Sequence, residues 1–346
     1  MLTQNVANRV YDYSHAVGGG PLTNAFPAGV AVGADDVVYV CCRGEERISD
    51  VPWNKTGVSA KVSRIRMGPA RGDEELLGEI GKYGDGDGQL IWPAGIALDS
   101  AGNVYVADEW MNRVSVFDPE GEFLASWGSS GDGDGQFNRP SGLAFDADDN
   151  LFVVDSLNHR VQKLTRDGAF LAKWGGRGSG LGEMDSPWGV TVDGDGYVYV
   201  ADHKNHRAQK FTPDGEPVAI FGELGDGRGQ LRRPTDVAVD PEGDVYVCDW
   251  ANNRVQAYAP DGTFITSFIG DAQQLAKWHQ NTVDANADVI KARRRVYSLE
   301  PEWRFALPRA VEFDEARDRL IVADTQRSRV QIYRKVEDYL EPQFNL

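Results

Sequence analysis

Cysteine is scarce in this chain: three residues (Cys41, Cys42 and Cys248) among 346. That excludes a disulfide framework and points to a reducing compartment. Long apolar runs are missing as well, and no stretch reaches the ~20 residues that cross a bilayer as a helix. The opening residues, MLTQNVANRVYDYSHAV, have no apolar leader core. Basic residues are outnumbered, with 36 Lys and Arg against 53 Asp and Glu, for a net charge of −17. A general nucleic-acid surface needs a basic field, so that partner class is excluded. No membrane partner is expected, and the acidity serves solubility. These absences together predict a soluble protein of a reducing compartment, and the expected setting is a bacterial cytoplasm.

What the chain does have is a repeat. A proline, an Ala/Val/Ile-rich run, an Asp and an Arg recur in one order. The units start at Pro93, Pro140, Pro187, Pro234 and Pro308. Asp108, Asp155, Asp202 and Asp249 stand fifteen residues after the proline and Asp324 sixteen, and Arg113, Arg160, Arg207, Arg254 and Arg329 come five further on. The first four units are 47 residues apart, and a degenerate copy starts at Pro27. A period of this length means a solenoid or a propeller. In the unit from Pro140, the runs 142–146, 151–154, 160–164 and 170–174 alternate with turn residues. That predicts a four-stranded antiparallel meander, the blade of a propeller. The 39 glycines fall at fixed places in the repeat and read as turn residues.

The pattern P-x-G-[IVL]-A-[VLF]-D … [VL]-[YF]-V-x-D-x-x-N-x-R-V-Q resembles the NHL repeat, most clearly from Pro93 and from Pro234. The resemblance implies a single all-β domain over residues 1–346: a six-bladed propeller of four-stranded antiparallel blades. Blade one has Cys42 in the Asp slot, and its third strand is expected at Val62–Met67 with Arg64 in register. Blade six lacks its own fourth strand. Val10 to Gly18 is expected to supply it and so close the ring, which removes two exposed edges. The five Asp…Arg pairs are expected to be structural, since a feature of five blades cannot mark one active site.

Two insertions break the repeat, at about 43–61 and about 271–307, both in connections that open on the same face. Long loops on one face of a rigid scaffold carry recognition. The second contains Lys291, Arg293, Arg294 and Arg295, and a helix is expected from Asp288 to Tyr297 with an acidic start and a basic end. It fits either an anion contact or a tether to acidic propeller loops. The slots around the first strands are filled by small residues except in blades four to six, where Trp188, Asp236, Arg309 and Glu312 intrude. After the repeat Asp come Glu109, Ser156, His203, Trp250 and Thr325. Trp188, His203, Asp236, Trp250, Arg309 and Glu312 are therefore expected along one side of the mouth, beside Arg293 and Arg294. An internal Arg309–Asp236 or Arg309–Glu312 pair is the structural alternative.

The GDGDG segments at 84–88 and 131–135 lack the twelfth-position Glu of a calcium loop and read as turns. His159 and His206 share a turn slot with Asn112 and Asn253. NHL-like peptidyl-amidoglycolate lyases place metal-binding histidines just after the repeat proline, where this chain has Ala28, Ala94, Ser141, Trp188, Thr235 and Arg309. The sequence thus predicts a binding or scaffold propeller that engages a protein partner or a small anionic ligand on the insertion-bearing face, with no cofactor. The alternative is a lyase or hydrolase for a small polar substrate, using His203, Asp236 and Arg309 as catalytic candidates, with a divalent metal on His203, Asp236 and Glu312.

Overall fold

The computed structural model describes residues 3–6, 9–22, 25–44 and 60–336. Its main sheets are six antiparallel meanders. The innermost strands are Pro27–Val32, Pro93–Leu98, Pro140–Phe145, Val190–Val192, Val237–Val239 and Pro308–Asp314. Each approaches the next, and the last approaches the first, so six blades surround one axis. Blade three runs Pro140–Phe145, Asn150–Asp155, Arg160–Thr165 and Phe170–Gly175, close to the predicted boundaries.

The crowding at the axis explains the small residues there. A Cβ on Gly95 would lie 1.9 Å from the Ser141 carbonyl oxygen, and one on Gly142 would lie 2.6 Å from that of Trp188. No other residue fits without moving a neighbouring blade. Farther out, apolar faces pack blade on blade. Val30, Val38 and Val40 of blade one meet Ile321, Ala323 and Ile332 of blade six, together with Val17 of the closing strand. Each valine or isoleucine among them contributes about 1.5–3 kcal/mol when fully buried.

Blade six is closed as expected. Arg9–Gly18 pairs antiparallel with Arg329–Val336, from Val10↔Val336 to Gly18↔Arg329. The structure adds a strand that the sequence pattern did not reveal: Thr3–Val6 pairs with Arg9–Asp12 and makes this sheet five-stranded. The seam is polar at its far end, where Arg9 Nη2 donates to Asp244 at 2.6 Å and Lys335 Nζ to Glu242 at 2.7 Å. Tyr11 is buried within it, edge-on to Phe268 at 5.0 Å.

Four of the five repeat pairs close: Arg160–Asp155 at 2.8 Å, Arg207–Asp202 at 2.9 Å, and Arg254–Asp249 and Arg329–Asp324 at 2.7 Å. Each Asp also accepts the N–H of a residue in the preceding blade-to-blade connection, as Asp155 does from Asn138. Each Arg donates to carbonyls there, as Arg160 does to Gly133 and Gln136. The pair is therefore a staple between connection and blade. Blade two differs. Asp108 takes the N–H groups of Ile91, Trp92, Trp110 and Met111, while Arg113 serves Gly86 and Gln89. Blade one corrects the expected register. Its third strand is Lys61–Arg66, and Lys61, not Arg64, stands opposite Cys42.

Residues 45–59 of the first insertion lie outside the described residues. The second insertion forms helices Lys277–Asp284, Ala287–Arg293 and Glu300–Trp303. The middle helix is the expected one, capped by the Asn286 side chain, but it ends at Arg293 and not at Tyr297. The insertion is tied to blade one through Lys277 Nζ, which donates to the carbonyls of Gly72 and Glu74. No described helix is long and apolar enough to cross a membrane.

Candidate functional site

The residue that follows the repeat Asp leaves the second strand at one end of the ring. Around the mouth, that slot holds Arg43, Glu109, Ser156, His203, Trp250 and Thr325. Glu109 is buried there and takes two guanidiniums. Arg309 Nη2 donates to its Oε1 at 3.0 Å, and Arg43 Nη1 to its Oε2 at 3.3 Å. Three blades (one, two and six) are thereby joined across the axis.

Arg309 is further fixed by aromatic contact. Its guanidinium lies 4.8 Å from the Trp188 ring centre, and Trp188 stacks on His203 at 4.4 Å. Trp250 follows at 6.2 Å from His203. On the opposite side, Arg43 lies over Trp92 at 4.3 Å. A cavity of about 430 Å3 opens between these groups, lined by Arg43, Arg309, Trp188, Trp250, Leu307 and Phe26 among others. Its walls are largely apolar, and among the described residues its charged lining groups are the two arginines. Burial lowers the Arg309 pKa and Glu109 offsets only part of that; the guanidinium still stays cationic at any physiological pH.

His203 is buried, and its Nδ1 lies 3.0 Å from the Pro234 carbonyl oxygen. A carbonyl only accepts, so Nδ1 carries the proton. Burial pushes its pKa down to about 4, so the ring is neutral at pH 7. Below the mouth, a narrow cavity of about 50 Å3 follows the axis and is lined by Asp236 and Glu312 as well as by Arg309. Asp236 Oδ2 accepts from the N–H of Val311, and its Oδ1 fills the space over Gly189 where a Cβ would sit. One carboxylate thus touches blades four, five and six. Burial pushes Asp236 up to about 7 and Glu312 up to about 8.

The structure brings Trp188, His203, Trp250 and Arg309 together, as the slots suggested. Asp236 lies deeper. Glu312 is three residues along the strand from Arg309, roughly 10 Å on, and also borders a depression at Asp35 and Glu315 on the far side. Neither expected internal pair forms, because Arg309 turns to Glu109. His203 and Asp236 do not share a proton, since each is engaged with backbone. No group of three His, Cys, Asp or Glu is set to hold a metal among the described residues, so His203, Asp236 and Glu312 are not a ligand set. Arg293 and Arg294 do not line the cavity: Arg293 pairs with Glu302 inside the insertion, and Arg294 is exposed. Glu109 and Arg43 were not singled out from the sequence, although they fill one repeat slot with opposite charges.

His159 and His206 are turn residues, as expected, both with left-handed backbone (φ 56° and 60°). Their Nδ1 atoms accept the N–H groups of Ser186 and Arg233, as the Asn112 side chain does from Arg139.

The NHL repeat family matches at residues 90–117, 137–164, 184–211 and 231–258. Protein lin-41 of Caenorhabditis elegans is 51% identical over 45 residues, 13% of this chain and 4% of that protein. The chain therefore spans only a small fraction of that relative. Among solved structures, a catalytically inactive virginiamycin B lyase from Staphylococcus aureus with quinupristin superposes with a TM-score of 0.56 at 14% identity, over 94% of this chain and 100% of that one. A gluconolactonase from Xanthomonas campestris gives 0.57 at 15% identity, over 96% and 91%. The nidogen/laminin complex gives 0.51 at 19% identity, over 71% and 80%. At identities this low the superpositions show a shared fold alone.

Proposed function

We propose that this six-bladed β-propeller, with its four NHL repeats, is a binding propeller whose mouth takes a small anionic ligand with an apolar part. One observation carries this reading. Arg43 and Arg309 line an open, mainly apolar cavity in a protein of net charge −17, with Trp188 and Trp250 as walls. A guanidinium offers a fixed fork of donors to a carboxylate or phosphate. Tryptophan faces supply rigid apolar area, and a few placed polar groups in an apolar cavity are what a small-molecule site needs. An acidic side chain of a protein partner offers the same chemistry.

The lyase or hydrolase reading draws on two fold neighbours, both enzymes by name. It would need His203 and Asp236 to act on one proton, and their backbone contacts support binding better than that chemistry.

Benzoate is a suitable probe. Titration of wild type should quench tryptophan fluorescence to saturation, and Arg309→Met should weaken the apparent affinity by about tenfold or more. Equal binding to wild type and to the variant would overturn the reading.

A further inference from the structure

We infer that the mouth selects a singly charged anion and that Glu109, set behind the two arginines, fixes this charge preference. The inference rests on the mouth being the binding site. The cavity presents two guanidiniums, and Glu109 compensates one of them through both of its oxygens. Among the described lining residues and Glu109, one positive charge is left over. Each guanidinium also has N–H groups beyond the one it gives Glu109. The side chains of Arg309 and Glu109 are only 15% and 6% exposed, so water screens a charge mismatch poorly.

A monoanion completes this balance. A dianion would set its second charge against Glu109 and would have to shed more hydration. The apolar walls (Trp250, Leu307 and Phe26) suit a flat or branched hydrocarbon body. The ligand class is therefore an apolar monocarboxylate, or another singly charged acid of that shape. Glu109 does not line the cavity; it is a positioning residue that tunes specificity through Arg43 and Arg309.

Isothermal titration of wild type, Glu109→Gln and Arg43→Gln with benzoate and with isophthalate tests this. A pH of about 6 keeps Asp236 largely protonated and both probes ionised. Wild type should prefer benzoate over isophthalate by about tenfold or more. Glu109→Gln should move that ratio toward isophthalate by about tenfold, and Arg43→Gln should weaken benzoate by a similar factor. Equal affinities for the two anions in wild type, or a ratio unmoved by Glu109→Gln, would overturn the inference. Should Glu109→Gln fail to fold, Arg43→Gln decides: unchanged benzoate affinity overturns it. Failure of wild type to bind either anion removes the mouth reading itself, whereas binding without charge discrimination removes only this inference.

Discussion

Arg309 of blade six donates to Glu109 of blade two at 3.0 Å, across the mouth of the ring and 200 residues away in sequence. The two slots belong to different repeat positions, one just after the repeat proline and one just after the repeat Asp. In most blades those positions hold small or neutral residues. The ion pair is a local departure that the ring brings together, and Arg43 joins it from a third blade.

Glu109→Ala should leave both guanidiniums short of a partner. We expect a loss of about 2 kcal/mol, read from urea unfolding, since a hydrogen bond to a charged group contributes ~1.5–3 kcal/mol. Glu109→Gln keeps an acceptor oxygen and should cost less than half as much.

The staples give a comparison between blades. Arg160→Ala should cost about 3 kcal/mol, because the fully buried Asp155 loses its cation. Arg113→Ala should cost clearly less, because Asp108 is held by four backbone N–H groups and not by Arg113. Equal losses in equilibrium unfolding would refute the distinction.

The axis should be visible in the pH dependence of stability. Burial raises the pKa of Asp236 from 3.8 to about 7. A raised folded-state value means stability that is full below the unfolded-state pKa and is lost as pH climbs through the folded one. Asp236→Asn removes that loss and keeps an acceptor for the Val311 N–H. The variant should therefore melt a few degrees above wild type at about pH 8, and the gap should close at about pH 4. His203 has the opposite sign, since burial lowers it to about 4. Its share is full above the unfolded-state value of 6.5 and is lost as pH falls toward the folded one, and His203→Gln should flatten that acid limb of the melting profile.

Ring closure depends on the N-terminal strand. Tyr11 is 1% exposed and its hydroxyl lies 3.0 Å from that of Tyr246. Tyr11→Ala should cost about 3–5 kcal/mol in equilibrium unfolding, whereas Ser14→Ala, at the bulge of the same strand, should cost below about 1 kcal/mol.

The blades, their count and the closing strand were legible because each unit repeats one pattern of apolar alternation and turn residues. Thr3–Val6 was not: four residues carry too short a pattern, and the strand owes its place to the sheet edge it meets. The register of blade one was missed for a related reason. With Cys42 in the Asp slot, Arg64 looked like the missing partner, but a β-strand aligns by its whole ladder, and Lys61 fell opposite. Trp188, His203, Trp250 and Arg309 could be found because they break a repeat rule. Their grouping follows from the ring, which makes neighbours of slots in successive blades. Arg309–Glu109 could not be read in this way, because a contact across the axis depends on side-chain reach. Glu312 shares the axial cavity with Trp188, Asp236 and Arg309 but not the mouth cavity, because three residues along a strand are a small step in sequence and about 10 Å in space.

Cocrystallisation with 4-bromobenzoate tests the central claim most directly. A bromine anomalous peak inside the mouth cavity, with the carboxylate on Arg309 or Arg43 and the ring against Trp250, is the predicted result. A bromine site only at the outer surface, with the mouth arginines bound to Glu109 and no ligand before them, would contradict the account.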